Sequence, residues 1–249
     1  MSVEDLSFMN ARGERLAASV HRPDRATDLG AIVCHGMLSS RASAKHIGLC
    51  RELARRGVLA IRFDFAGRGE SEGDSAQITY ERQVEDLEAA VARLRREASI
   101  VALVGSSMGG AAALLYAARD RDVRCVVGIA AVGKPSVVLS GIIGDQTTFE
   151  RWRRDGVIIL EGQRIGWCLA QSSARTDVLA AARALHRPVL LLHGERDDVV
   201  PIDQAEALAE AAETSRLEVI IGGDHLLHRA EDQRTIERVV GEFVKLHLA

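Results

Sequence analysis

Gly105-Ser106-Ser107-Met108-Gly109 is the stretch of this 249-residue chain with the plainest chemical use. The β-branched run 100–104 leads into it, and the small residues Gly110, Ala111, Ala112 and Ala113 lead out. A strand ending and a helix beginning there would hold Ser107 on a sharp, strained turn with its hydroxyl exposed. Such a turn leaves no room for side chains two places before and two places after the nucleophile, and both positions are Gly. Ser106 fails the same test, because Val104 would have to be its first glycine. The helix N-terminus would also aim N–H groups and a positive dipole end at a developing anion.

A serine nucleophile needs a base, and the base needs an orienting acid. Downstream, RPVLLLHGERDDVVP reads as a buried strand running into a polar loop with Glu195, Asp197 and Asp198. EVIIGGDHLLH reads as a second strand and a glycine turn, followed at once by His225. Ligands of open α/β sheets bind at such C-terminal strand ends. His225 is the expected base. His228 falls three residues later, and His193 precedes a glycine at a strand end, where a packed structural role is expected. Asp197 is the favoured acid, with Asp198 and Glu195 as alternatives.

An oxyanion intermediate needs two backbone donors. Met108, next to the nucleophile, would supply one. In AIVCHGMLSS, the turn His35-Gly36-Met37 ends an early strand, and the Met37 N–H is the candidate for the other. The glycines of RFDFAGRGESEGDS suggest a phosphate loop, but no G-x-x-x-x-G-K-[ST] or helix-opening G-x-G-x-x-G is present. The segment reads as a turn closing a strand near Asp64, with Arg68 and Ser71 holding it.

The elements that must position these residues follow from hydrophobic patterning. Apolar runs at 31–34, 58–63, 100–104, 123–130, 189–192 and 217–221 read as buried strands. Amphipathic stretches separate them, among them 78–96, with Val84, Leu87, Val91 and Leu94 on one stripe. That alternation implies βαβ units and a mostly parallel sheet. Weaker pieces at 6–9 and 16–21 suggest an antiparallel edge hairpin. Residues 134–181 break the rhythm and read as an inserted helical cap, leaving 1–133 and 182–249 as the core. The cap carries Phe149, Trp152 and Trp167 in a chain only 4% aromatic, and these are candidate substrate contacts.

Composition narrows the partners. A net charge of −3 and few aromatics argue against nucleic acid. No run reaches the roughly 18 apolar residues of a membrane span, and the N-terminus is no secretory signal. Cys34, Cys50, Cys125 and Cys168 are scattered, without metal or disulfide spacing, which suits a reducing cytoplasm. No metal or organic cofactor is expected. A homodimer is compatible with the sequence.

Taken together, HGM at 35–37, DFAGRGES at 64–71, GSSMG at 105–109, HGERDDVVP at 193–201 and GGDH at 222–225 resemble the α/β-hydrolase superfamily. Within it, the chain is most similar to small esterases of the serine aminopeptidase-like group, which includes cinnamoyl and feruloyl esterases. The resemblance implies an α/β-hydrolase fold, with helices on both faces of the sheet and a small helical cap. It implies the chain order nucleophile, acid, histidine, and it carries the acid onto Asp197 and the oxyanion donor onto Met37. The expected activity is carboxylic ester hydrolysis of a small molecule through an acyl-enzyme. An aminopeptidase or thioesterase on the same triad is the runner-up. A non-catalytic binding protein would not need all three triad members, which this chain has.

Overall fold

The computed structural model describes residues 1–249. The strands of the main sheet are β1 (Ser2–Met9), β2 (Arg15–Arg22), β3 (Leu29–Cys34), β4 (Leu59–Phe63), β5 (Ile100–Ser106), β6 (Val123–Ile129), β9 (Val189–Gly194) and β10 (Ser215–Ile220). The remaining pair, β7 (Val157–Leu160) and β8 (Gln163–Gly166), forms a separate hairpin. The helices are α1 (Ala44–Arg55), α2 (Tyr80–Leu94), α3 (Met108–Ala117), α4 (Pro135–Ile143), α5 (Gln146–Asp155), α6 (Cys168–Arg175), α7 (Val178–Arg183), α8 (Asp203–Ala211) and α9 (Ala230–Leu248).

The main sheet runs β1-β2-β4-β3-β5-β6-β9-β10. β1 and β2 pair antiparallel at one edge, β2 meets β4 antiparallel, and every later pairing is parallel. The sheet is the α/β-hydrolase architecture expected from the motifs.

Strand alternation explains why the central runs are apolar throughout. Ile32, Leu103 and Leu191 face one core, with α2, α3, α7 and α8. Val33, Val104 and Leu192 face the opposite core, with α1 and α9. A strand buried on both faces has no place for a polar residue of period two. The α2 stripe goes where its spacing requires, since Val84, Leu87, Val91 and Leu94 are all buried. Thr79 begins the helix by accepting the Arg82 N–H at 3.1 Å.

Between β6 and β9 the chain makes its long excursion. It is not wholly helical, because β7 and β8 form an antiparallel hairpin within it. Its two-residue turn, Glu161-Gly162, has φ of 47° and 75°, the mirror-image geometry that matches strand twist. The excursion is bonded to the core at its base. The Ser172 hydroxyl accepts the Tyr80 N–H at 3.0 Å and donates to Glu81, which also takes Arg175 at 2.7 Å. No helix is long and apolar enough to cross a membrane.

Candidate active site

The turn between β5 and α3 has the strained geometry its sequence requires. Ser107 sits at φ 52° and ψ −122°, a conformation rare outside glycine. Its N–H donates to Ile129 O at 2.8 Å, and its carbonyl accepts the Gly110 N–H at 3.0 Å, so both sides hold the strain in place. A Cβ on Gly105 would stand 2.3 Å from Gly109 O, and one on Gly109 would stand 2.3 Å from His35 O. The hydroxyl is half-buried and makes no hydrogen bond within the protein.

The oxyanion loop lies against this turn. A Cβ at Gly36 would be 3.2 Å from Ser107 Cβ, so the backbone after β3 runs directly beside the serine. His35, which sequence reasoning passed over, holds that loop. Its Nε2 accepts the Phe65 N–H at 3.0 Å, which leaves Nδ1 protonated to donate to Gly36 O at 2.7 Å. Burial above all, helped by the Arg68 charge, keeps the imidazole neutral, its pKa down at about 4. The HG dipeptide at a strand end was the available signal.

His225 and Asp197 meet across two loops. The loop after β9 and the loop after β10 are tied through backbone, Arg196 N to Gly223 O at 2.8 Å and Glu195 N to Ile220 O at 3.0 Å. Glu195 itself accepts the Gly222 N–H at 2.9 Å, which occupies one alternative acid. Asp198 is exposed. His228 is exposed and faces Asp224. Asp197 Oδ2 lies 2.8 Å from His225 Nδ1, while Oδ1 accepts Val199 and Val200 N–H groups at 3.0 and 2.8 Å.

Burial alone would raise the Asp197 carboxyl. The hydrogen bonds from His193, His225 and the backbone outweigh it and hold the group far below the usual carboxylate range. An ionised carboxylate only accepts, so it takes Nδ1–H from His225 and selects the tautomer whose Nε2 can act as a base. His193 is fully buried and shares its Nε2–H between Val200 O at 2.7 Å and Asp197 Oδ2 at 3.3 Å, bracing the acid loop, while its Nδ1 has no partner. Lys45, also missed from sequence, reaches from α1 to the Leu226 carbonyl at 3.2 Å and ties the histidine loop to the core.

The 64–71 turn departs from expectation in one respect. Ser71 does hold it, donating to Asp64 O at 2.6 Å and accepting the Ala17 N–H at 2.8 Å. Arg68 does not. Asp64 is taken by Arg41 and by the Glu70 N–H, and Arg68 instead reaches Gln163 on β8 at 3.0 Å. The aromatic cluster of the excursion is mutually edge-to-face, with Phe149–Trp167 centroids 4.9 Å apart and Trp152–Trp167 centroids 5.3 Å apart. Trp152 has no exposed surface, and its indole donates to Ile165 O at 3.0 Å. Only Phe149 and Trp167 keep an exposed edge.

A family profile described as serine aminopeptidase, S33, matches residues 28–143 and 134–233. The chain belongs to that family. It is therefore a hydrolase of the α/β-hydrolase superfamily. It is 27% identical over 241 residues to mouse (Mus musculus) palmitoyl-protein thioesterase ABHD10, mitochondrial, covering 91% of this chain and 78% of the relative. The esterase domain of a Rhodothermus marinus protein is 28% identical over the whole of both chains, with a TM-score of 0.79. Est1E from Butyrivibrio proteoclasticus, solved with ferulic acid, shares the fold at a TM-score of 0.88 and 20% identity, over 97% of this chain and 98% of its own.

Proposed function

We propose that this chain hydrolyses small carboxylic esters, with Ser107 as nucleophile, His225 as base and Asp197 as the acid that orients the base. The observation that carries this reading is the Asp197–His225 hydrogen bond of 2.8 Å in loops tied to the strand ends, the end of the sheet where the strained Ser107 turn stands. Ser107 Oγ attacks the ester carbonyl as His225 Nε2 takes its proton. The Oγ–Nε2 hydrogen bond, absent without substrate, forms when substrate enters, as catalytic hydrogen bonds often do. The oxyanion receives the Met37 and Met108 N–H groups. His225 returns its proton to the leaving alcohol, and water, deprotonated by the same imidazole, releases the acid. Residues 134–181 act as a cap over this site, with Phe149 and Trp167 as the aromatic groups able to meet a substrate.

The chemistry works without metal or organic cofactor. Cys34, Cys50 and Cys125 are free and buried, in keeping with a cytoplasmic protein.

A thioester reading is favoured by one observation, the relative named palmitoyl-protein thioesterase. The aminopeptidase reading is weaker. The cap acids that could receive an amine are exposed, and Asp145, Glu150 and Asp155 already accept from Thr148, Gln146 and Arg154.

The deciding experiment compares p-nitrophenyl esters of increasing acyl length with acyl thioesters and aminoacyl amides. Oxygen esters are expected to be cleaved with the highest kcat/KM. Faster turnover of thioesters or amides at matched acyl groups overturns the ester assignment.

A further inference from the structure

Arg68 is a buried cation without an acidic partner. It is 5% exposed, yet only Nη1 is bonded, to Gln163 Oε1 at 3.0 Å. Nε and Nη2 are enclosed and have no hydrogen-bond partner. Asp64, the acid that opens the same turn, is engaged by Arg41. Burial pushes the Arg68 guanidinium below its ordinary value, and no neighbouring carboxylate raises it again. An arginine does not escape by losing its proton, and a buried charge without a partner is costly. Such a group asks for an explanation beyond stability.

Its position supplies one. Arg68 follows β4, Ser107 follows β5, and β3 lies between them. At about 4.8 Å per strand, the strand ends that lead into the two turns are roughly 10 Å apart along the sheet edge. His35 stands between them, feels the Arg68 charge, and holds the Gly36 carbonyl beside Ser107. Gln163 places the β7–β8 hairpin over the guanidinium. The two unbonded nitrogens share one edge of the planar group, where parallel N–H bonds fit both oxygens of a carboxylate.

We propose that Arg68 is an anion-recognising subsite beside the oxyanion loop, and that the preferred esters carry a carboxylate at the far end of the acyl chain. This rests on the ester-hydrolase reading and narrows it. The β7–β8 hairpin, held by Gln163, must lift from the enclosed Nε–Nη2 edge for the carboxylate to reach it while the scissile carbonyl lies at Ser107, so acyl length and charge are read together. Gln163 couples the anion to the cap, because the same guanidinium touches both.

The test compares methyl hemiesters of succinate, glutarate and adipate with methyl butanoate, pentanoate and hexanoate, followed by pH-stat. At least one hemiester is expected to exceed its neutral counterpart in kcat/KM by roughly tenfold or more, the scale of a charged hydrogen-bond pair. Arg68→Gln should lower that anionic-to-neutral ratio by a similar factor, and Arg68→Lys should restore part of it. Should the variants fail to fold, inhibition of the unaltered protein decides, with adipate or glutarate expected to compete better than hexanoate or pentanoate. Equal ratios in the unaltered protein and Arg68→Gln, or better inhibition by the monocarboxylates, would overturn the proposal. If no ester is cleaved at all, the hydrolase reading fails instead. Calorimetry on Ser107→Ala then decides alone, since adipate binding lost in the Arg68→Gln double variant upholds the subsite and its absence in both overturns it.

Discussion

Asp197 and His225 share a 2.8 Å hydrogen bond through Oδ2 and Nδ1, while the second carboxylate oxygen is fixed by Val199 and Val200 N–H groups. The acid is thus immobilised from behind and cannot follow the imidazole if the ring turns. Asp197→Asn keeps the size but can present an N–H to Nδ1, which favours the wrong tautomer. It should lower kcat by about a thousandfold or more, with an unchanged circular dichroism spectrum. A loss under tenfold would mean that His225 is oriented by something else.

The elbow glycines are required by close approach. A methyl at Gly105 or Gly109 would meet a backbone oxygen at 2.3 Å, and backbone there cannot retreat. Gly109→Ala should remove activity and lower Tm by several degrees, because a core overlap of this kind costs about 1–3 kcal/mol. Native Tm with native turnover in Gly109→Ala would contradict the geometry.

Trp152 and Trp167 should behave differently, although the sequence offered them alike. Trp152 is wholly buried with its indole satisfied, so Trp152→Ala should cost about 3–5 kcal/mol and slow all esters together. Trp167 keeps an exposed edge, so Trp167→Ala should shift relative kcat/KM between short aliphatic and bulky aryl esters by roughly tenfold. Uniform losses in both variants would reduce the cluster to a structural anchor.

Burial holds His35 neutral at about 4 and keeps His46 well below its usual value. The unfolded chain binds those protons near pH 6.5, so it takes up more protons than the folded one below that pH. Their contribution to stability is complete above about pH 6.5 and declines as pH falls toward 4, by up to about 1.4 kcal/mol per pH unit for each histidine. The urea midpoint at pH 5 should therefore lie below that at pH 7.5. An equal or higher midpoint at pH 5 would show that these rings are not buried neutral.

Much of this fold is legible because the central strands are buried on both faces, which forces unbroken apolar runs such as Leu190-Leu191-Leu192. Ser107 is legible because only glycine fits two residues either side of it. The hairpin of β7 and β8 was missed, although Val157-Ile158-Ile159-Leu160 followed by Glu161-Gly162 is a hairpin signal. Surrounding helical patterns drew the whole segment into a helical reading. Arg68 was misjudged for a different reason. Whether an arginine braces its own turn depends on which acid is free, and Arg41 takes Asp64 from a distance in sequence that no local pattern reveals.

The central claim is that Ser107 is the nucleophile, and fluorophosphonate labelling with mass-spectrometric site mapping tests it most directly. Ser106 is the discriminating control, since its hydroxyl lies 3.4 Å from buried His46 Nε2, behind the turn. The unaltered protein and Ser106→Ala should label stoichiometrically on Ser107, and Ser107→Ala should neither label nor turn over ester while keeping its Tm. Stoichiometric labelling of Ser107→Ala at another serine, with ester turnover retained, would contradict the account.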